Sequence, residues 1–151
     1  QGNRQFRIFK FRSMRQDSSD ADGTQSAGRQ DNRVTGIGRL IRKTSIDELP
    51  QLFNVLRGEM SMVGPRPHAL GSTAGDELFW HASRQYWLRH ALKPGITGLA
   101  QIRGYRGATE KVEDLDLRVR CDLEYLSNWS LWSDVMILIK TLRVVVHKNA
   151  Y

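Results

Sequence analysis

The feature that most constrains the fold of this chain is the short length of its uninterrupted apolar runs. The longest uninterrupted apolar run covers only residues 135–139 of the 151. A helix that spans a bilayer needs about 20 consecutive apolar residues, so this sequence encodes no ordinary transmembrane helix. Apolar residues still make up 40% of the chain, which is enough for one domain with a modest core. The single cysteine, Cys121, excludes an internal disulfide framework and a cysteine-based zinc site.

The spacing of the apolar residues predicts a helix-rich α+β domain over residues 1–151. We expect helices over 50–57, 76–92, 109–128 and 131–148, and short strands over 5–14 and 99–103. Residues 15–32 are small and polar and predict a mobile loop. The last helix is apolar almost all round, which is typical of either a core helix or an interfacial helix. The expected architecture is therefore a single domain with a short strand or hairpin element and interfacial amphipathic helices.

The positive charge of the chain is concentrated in its first third. Residues 1–43 carry ten Lys or Arg against four Asp, whereas the rest carry thirteen basic and twelve acidic side chains. Such a distribution favours an anionic partner, which can be a nucleic acid, anionic lipid head groups or a phosphorylated small molecule. An ordinary basic, solvated surface explains the same charge count.

The densest chemistry of the sequence lies at the adjacent acids Asp47 and Glu48. Ser45 and Glu48 have the spacing of a helix capping box, which is one interpretation of the pair. Pro50 argues against it, because it would then be the fifth helical residue, where proline costs about 3 kcal/mol. A second helix that begins at Pro50 avoids this cost and leaves the two acids at a break, just after Arg42 and Lys43. Ionised carboxylates in such a place suit nucleophilic attack or a hard metal ion.

Two further segments combine rigid or glycine-rich backbone with cations. In residues 63–67 two prolines flank Arg66 and restrict the backbone, so that the guanidinium is preorganised to bind phosphate. A stiff surface turn with a solvated arginine is the alternative. Residues 93–107 are rich in glycine, which permits close approach of a ligand but also occurs in many ordinary turns.

Six motifs follow one another along nearly the whole chain. They are Lys10-Phe11-Arg12-Ser13-Met14, Asp31-x-Arg33-Val34-Thr35, the segment 42–51, Met62-Val63-Gly64-Pro65-Arg66-Pro67, Lys93-Pro94-Gly95-Ile96-Thr97-Gly98, and Asp122-Leu123-Glu124-Tyr125 followed by Asn128-Trp129-Ser130. Taken together, they resemble the ordered motifs of bacterial sugar transferases, specifically the monotopic polyprenyl-phosphate phosphoglycosyl transferases. The segment 62–69 with His68 and the closing Val146-His147-Lys148-Asn149-Ala150-Tyr151 are most similar to the colanic-acid-type undecaprenyl-phosphate glucose phosphotransferases.

The resemblance implies transfer of a sugar 1-phosphate from a UDP-sugar to undecaprenyl phosphate with release of UMP. The subgroup favours glucose 1-phosphate, and galactose or an N-acetylated sugar is the alternative. This reaction initiates exopolysaccharide or capsule assembly. Asp47 is implied to be the nucleophile, forming a covalent phosphosugar intermediate, and Glu48 its partner, with Mg²⁺ bridging the pair and the diphosphate. The implied substrate-binding residues are Lys10, Arg12, Arg42, Arg66, Gln101 and Asp122. For Asp122, a supporting role in the structure and a role in binding substrate both remain open.

The resemblance also implies a place in the cell. The family acts at the cytoplasmic face of the bacterial inner membrane, and it places a hydrophobic re-entrant helix before the Lys-Phe-Arg segment. No such helix lies in this sequence, so we expect the chain to be a catalytic fragment that meets an anionic membrane surface and does not bind nucleic acid. Two alternatives remain: a basic nucleic-acid-binding module, supported by the cationic first third, and a catalytically silent partner-binding domain.

Overall fold

The structure, a computed structural model, describes residues 3–15, 31–107, 109 and 111–146. Helices and short strands alternate along these residues, which confirms the predicted α+β class. The α-helices are α1 (Gly36–Lys43), α2 (Gln51–Leu56), α3 (Phe79–Ala82), α4 (Leu99–Ile102), α5 (Val112–Ser127) and α6 (Leu131–Val146). The strands are β1 (Ser61–Val63), β2 (Thr73–Ala74), β3 (Glu77–Leu78) and β4 (Gly95–Thr97), and 3-10 turns occupy Ile46–Glu48 and Tyr86–Ala91.

A parallel pair of strands brings two of the sequence motifs together. In the pair of β1 and β4, Ser61 lies opposite Gly95 and Val63 lies opposite Thr97. The backbones approach so closely that a Cβ atom at Gly95 would lie 2.1 Å from the Gly64 nitrogen. Position 95 therefore has no room for a side chain and requires glycine. The same close approach packs the segment 63–67 directly against the segment 93–98.

The core is built around helix α5, which contributes buried side chains to two hydrophobic clusters. Its first turn carries acidic residues, and the Lys111 N–H donates to the Asp114 carboxylate at 3.3 Å, which suits the positive end of a helix. One core cluster joins α5 to α3 and to the turn Tyr86–Ala91; its members are Ala74, Phe79, Tyr86, Leu115 and Val119. A second cluster contains Val63, Tyr125 and Ile137 and joins α5 to β1 and α6.

Several predicted elements are confirmed and three are wrong. Helices α2, α5 and α6 lie within the ranges predicted for them. The predicted helix 76–92 is interrupted, because Ser83 has extended backbone dihedrals of −125° and 120° between α3 and the following 3-10 turn. The predicted strand 99–103 is instead helix α4.

The third wrong prediction is the strand 5–14, whose backbone groups find other partners. The Phe9 N–H donates to the Asn54 side chain at 3.0 Å, and that side chain donates back to the Arg7 carbonyl at 2.8 Å. Among the described residues, an isolated bridge between Met14 and Val34 is the β-pairing of this segment. Of the predicted loop 15–32, residues 16–30 lie outside the described residues, as do residues 147–151 at the other end.

Membrane-spanning helices were expected to be absent from this chain. Across the ranges that the structure describes, no helix combines the length and the apolar character needed to cross a bilayer.

Candidate active site

The two adjacent acids lie in the 3-10 turn between α1 and α2. Ser45, just before the turn, adopts a left-handed backbone with φ of +58°, and its side chain makes no capping hydrogen bond. The capping-box interpretation of Ser45 and Glu48 is therefore wrong. Helix α2 begins at Gln51, directly after Pro50, as the proline predicted. Asp47 and Glu48 are each only 8% exposed, so the turn buries two neighbouring carboxyl groups.

Glu48 is held by cations that come from two distant motifs. The Arg66 guanidinium donates to both carboxylate oxygens, from Nη1 to Oε2 at 3.2 Å and from Nη2 to Oε1. The Lys10 Nζ lies 3.7 Å from Oε1. Burial alone raises the pKa of Glu48, but Arg66 and Lys10 outweigh it and lower that pKa to about 2. Glu48 is therefore a carboxylate throughout the neutral pH range.

Asp47 differs from its neighbour in its electrostatic environment. Burial raises the pKa of Asp47 above its usual value, and the charge of Glu48 adds to this effect, while Lys10, Arg42 and Arg66 oppose it. The Asp47 carbonyl accepts the Phe11 N–H at 3.0 Å, which ties the Lys10 segment to the turn. Because the strong ion pair goes to Glu48, Asp47 is the more basic and the more nucleophilic of the two carboxylates.

Arg66 is positioned through its own backbone. The Gly64 N–H donates to the Thr97 carbonyl at 2.8 Å, and the Gly95 N–H donates to the Pro65 carbonyl at 3.0 Å. The Arg66 carbonyl accepts from Nη2 of the buried Arg89 at 2.7 Å. The guanidinium of Arg66 therefore extends towards Glu48 from a backbone that is fixed on both sides.

Asp122 lies behind this segment and not beside the acid pair. It is 1% exposed; its Oδ2 accepts a hydrogen bond from Arg89 Nε at 2.8 Å and forms an ion pair with Nη2 of the same guanidinium at 2.7 Å. The same guanidinium contacts His68 Nδ1 at 2.7 Å, and the opposite ring nitrogen, Nε2, lies 3.3 Å from Arg118 Nη1. Asp122 thus neutralises charge in a buried network that supports Arg66, and its described contacts fit the supporting role left open by the sequence.

The structure brings most of the other predicted site residues to the acid pair. The positive charges of Lys10, Arg42 and Arg66 all oppose the rise in the pKa of Asp47, so these three side chains lie near that carboxyl group. Gln101 lines the same cavity as Glu48 and Arg66; its Nε2 donates to the Ile96 carbonyl at 3.1 Å, and its buried Oε1 accepts no hydrogen bond from the described residues. Arg12 is exposed on the segment that carries Lys10, and its role stays a prediction.

Sequence reasoning missed three arginines of the site and its support: Arg89, Arg106 and Arg118. Arg106 donates to the Ser45 hydroxyl and adds to the positive charge around Glu48. Its place between Gly104 and Gly107 is a usable signal, because this glycine-rich segment permits close approach of a ligand. Arg89 and Arg118 are 1% and 5% exposed, and no local pattern distinguishes them from surface arginines on a helix.

The acid pair offers two carboxyl groups to a hard cation such as Mg²⁺. In the part of the chain that the structure describes, no cluster of three or more His, Cys, Asp or Glu side chains forms a metal cage. Mg²⁺ does not need one, since it is commonly bound by one or two carboxylates together with substrate phosphates and water. Two adjacent buried carboxyl groups, one of them ionised at all relevant pH values, meet that requirement.

Comparison with known proteins identifies the family to which the ordered motifs belong. A family model described as bacterial sugar transferase matches residues 1–148. The chain belongs to the bacterial sugar transferase family. This member is 55% identical over 150 residues to the undecaprenyl-phosphate glucose phosphotransferase of Komagataeibacter xylinus, a match that covers 99% of this chain and 28% of that protein.

Two further relatives carry one name, UDP-glucose:undecaprenyl-phosphate glucose-1-phosphate transferase. The protein from Escherichia coli is 49% identical over 96% of this chain and 31% of its own length. The protein from Caulobacter vibrioides is 48% identical over 99% of this chain and 55% of its own length. The bacterial sugar transferase region described here thus spans between 28% and 55% of the length of these three relatives.

Proposed function

We propose that this chain is the catalytic domain of a phosphoglycosyl transferase that moves glucose 1-phosphate from UDP-glucose to undecaprenyl phosphate and releases UMP. The names of the three relatives support this substrate pair. The observation that carries the proposal is the buried pair of Asp47 and Glu48 surrounded by Lys10, Arg42 and Arg66. Cations at this density around two carboxylates suit the binding of a diphosphate whose charge must be neutralised during reaction.

In the first step, a carboxylate oxygen of Asp47 attacks the phosphorus that bears the sugar. The new bond joins Asp47 to that phosphorus, and the bond to the bridging oxygen of the diphosphate breaks. The bonding electrons leave with UMP, whose developing charge faces the guanidinium of Arg66. Attack by an anion on an anionic phosphate is opposed by charge, so the fixed cations around the pair lower this barrier.

In the second step, a phosphate oxygen of the lipid attacks the same phosphorus and displaces Asp47. The carboxylate is regenerated and the product is a lipid-linked diphosphate sugar. One phosphoanhydride bond is broken and one is formed over the two steps, so the balance needs no oxidant, reductant or net proton. In this proposal, the two-step transfer is the reaction that initiates exopolysaccharide assembly.

Other groups of the chain hold the substrates in place. Asp47 and Glu48 are the residues that would hold Mg²⁺ together with diphosphate oxygens, and the ion supplies further neutralisation of the phosphate charge when it is bound. Gln101 has a buried oxygen that can accept a hydrogen bond from a hydroxyl of the sugar nucleotide.

A membrane surface is part of the proposal, since the lipid phosphate must reach Asp47. The described helices expose large apolar side chains: Ile37 and Leu40 on α1, Phe53 and Leu56 on α2, and Leu131, Trp132 and Leu142 on α6. Together with the cationic first third, these surfaces suit an interface with anionic lipid at the cytoplasmic face of the inner membrane. The alternative of a nucleic-acid-binding module is not favoured, because the family match extends over residues 1–148.

The test measures UMP released from UDP-glucose, with and without undecaprenyl phosphate in detergent. Asp47→Asn is expected to abolish release and to leave the fold intact, because the amide is nearly isosteric but a poor nucleophile. Glu113→Gln, an exposed change in the first turn of α5, is the control and is expected to keep wild-type turnover. Without acceptor, wild-type protein should gain the mass of one phosphoglucose on Asp47. Near-normal turnover in Asp47→Asn would exclude the covalent mechanism.

A further inference from the structure

A cavity of about 480 Å³ adjoins Glu48 of the acid pair and is lined mainly by aliphatic side chains. Its polar lining includes Glu48, Arg66 and Arg106. Its apolar lining comes from helices α2, α4 and α6, from strands β1 and β4, and from Leu49 just before α2. These side chains are Leu49, Leu52, Met62, Ile96, Ile102, Leu138, Ile139 and Leu142. We call this cavity the aliphatic groove.

Two of the uncharged polar groups in the wall of the groove, the hydroxyls of Thr97 and Thr141, are engaged with one another. The hydroxyls of Thr97 and Thr141 lie 2.7 Å apart, and the Thr141 hydroxyl also donates to the Ile137 carbonyl at 2.8 Å. In contrast, Leu52 and Ile139 remain 41% and 45% exposed, and Leu142 remains 69% exposed. The wall therefore offers water an apolar surface that a bound hydrocarbon can cover.

We propose that the aliphatic groove binds the isoprene units of the acceptor lipid that lie next to its phosphate. This inference rests on the proposed function and locates the lipid chain within the same site. A polyprenyl phosphate is an anion attached to an apolar chain. The groove has the complementary arrangement, since Arg66 and Arg106 line the same cavity as the aliphatic side chains, and their guanidiniums donate to Glu48 and Ser45 beside it. A second protein copy or a peptide would not explain why the apolar wall includes cations of the reaction site.

The size of the groove limits how much of the lipid it can hold. Typical ligand pockets measure about 300–1,000 Å³ and enclose small molecules. A cavity of about 480 Å³ therefore takes only the first few isoprene units and leaves the rest of the chain outside. Affinity should rise with chain length over these first units and then level off.

The experiment compares farnesyl phosphate, with three isoprene units, and dimethylallyl phosphate, with one, by calorimetry on this chain without detergent. We expect farnesyl phosphate to bind about tenfold more tightly, which corresponds to about 1.4 kcal/mol. Ile139→Asn and Leu52→Gln are expected to remove most of this difference. The matched controls are Val135→Asn and Leu56→Gln, which change exposed residues on the same two helices outside the groove. Thermal unfolding of all four variants reports whether they fold.

Three results would overturn the inference. Equal affinity for the two probes would mean that only the phosphate is recognised. Equal losses in Ile139→Asn and Val135→Asn would place the chain on the general surface of α6. A change of oligomeric state in Ile139→Asn, with farnesyl affinity unchanged, would assign the groove to a second copy of the protein.

The parallel UMP assay separates this inference from the proposed function. If wild-type protein releases UMP but the groove variants bind farnesyl phosphate normally, the groove inference alone fails. If no UMP is released while the variants show the expected pattern, the proposed function fails and the isoprenoid phosphate site stands.

Discussion

The ion pair between Arg89 and Asp122 gives the sharpest test of how the site is supported. Both side chains are about 1% exposed, and two guanidinium nitrogens lie within 2.8 Å of the Asp122 carboxylate. Asp122→Asn keeps the shape of the side chain and removes its charge. Arg89 then remains buried without its counter-ion, close to the equally buried Arg118.

The expected cost follows from that uncompensated charge. Removing one partner of a buried ion pair typically destabilises a protein by about 3–5 kcal/mol. In a domain of about 150 residues, each kcal/mol lowers the melting temperature by about 2–4 °C. Asp122→Asn is therefore expected to lower the thermal midpoint by about 6–20 °C. The double variant Arg89→Met/Asp122→Leu should regain part of this loss, although the Arg66 carbonyl then lacks its donor.

The control for this measurement lies two residues away on the same helix. The Arg103–Glu124 pair has side chains 43% and 46% exposed, so water screens both charges and Glu124→Gln should leave the midpoint nearly unchanged. Activity measured well below the midpoint should show a raised KM for UDP-glucose in Asp122→Asn, because Arg66 loses its backbone support. If Asp122→Asn costs no more than Glu124→Gln but still abolishes activity, Asp122 acts on substrate and the supporting role is wrong.

Three further predictions concern single positions. Arg66→Lys should lower kcat/KM for UDP-glucose by about tenfold or more, since one ammonium cannot reproduce two fixed hydrogen bonds; a wild-type value would remove Arg66 from phosphate binding. Gly95→Ala should lower the thermal midpoint strongly, because its Cβ would meet backbone at 2.1 Å, whereas Gly36→Ala, with open space around it, should not. Burial and neighbouring guanidiniums keep the pKa of His68 well below 6.5, so the unfolded state gains a proton there first. Stability should therefore fall below pH 6.5 by about 1.4 kcal/mol per pH unit, and His68→Gln should flatten this slope in urea titrations.

The long helices were predictable because their own sequences determine them. In α5 and α6 the apolar spacing persists for several turns, and tertiary contacts reinforce what the pattern indicates. The segment 76–92 has similar spacing over a shorter stretch, but two of its aromatic rings, Phe79 and Tyr86, pack against a residue outside the segment. His68 lies edge-on to Phe79 with ring centroids 4.7 Å apart and stacks on Tyr86 at 6.0 Å. His68 lies outside the segment, and Phe79 and Tyr86 also pack in a core cluster with Leu115 and Val119 of α5, so helical spacing alone could not predict the break at Ser83.

The aromatic segment 5–14 failed for a related reason. Alternation predicts a strand only when a neighbouring strand supplies backbone partners, and here an asparagine side chain and the Asp47 carbonyl supply them. These same contacts bring Lys10 to 3.7 Å from Glu48. The predicted composition of the site was therefore useful even where the predicted secondary structure was wrong.

The two halves of the candidate site are determined in different ways, and this explains what the sequence could predict. Asp47 and Glu48 are placed by a local turn, in which the proline at position 50 starts a new helix. Arg66 is placed by contacts from segments that lie about 30 and 23 residues further on, namely the close backbone approach at Gly95 and the hydrogen bond from Arg89. Local rules therefore identify the acids, whereas the orientation of the arginine depends on a buried network. Disturbing that network should change substrate binding without any contact to the substrate itself.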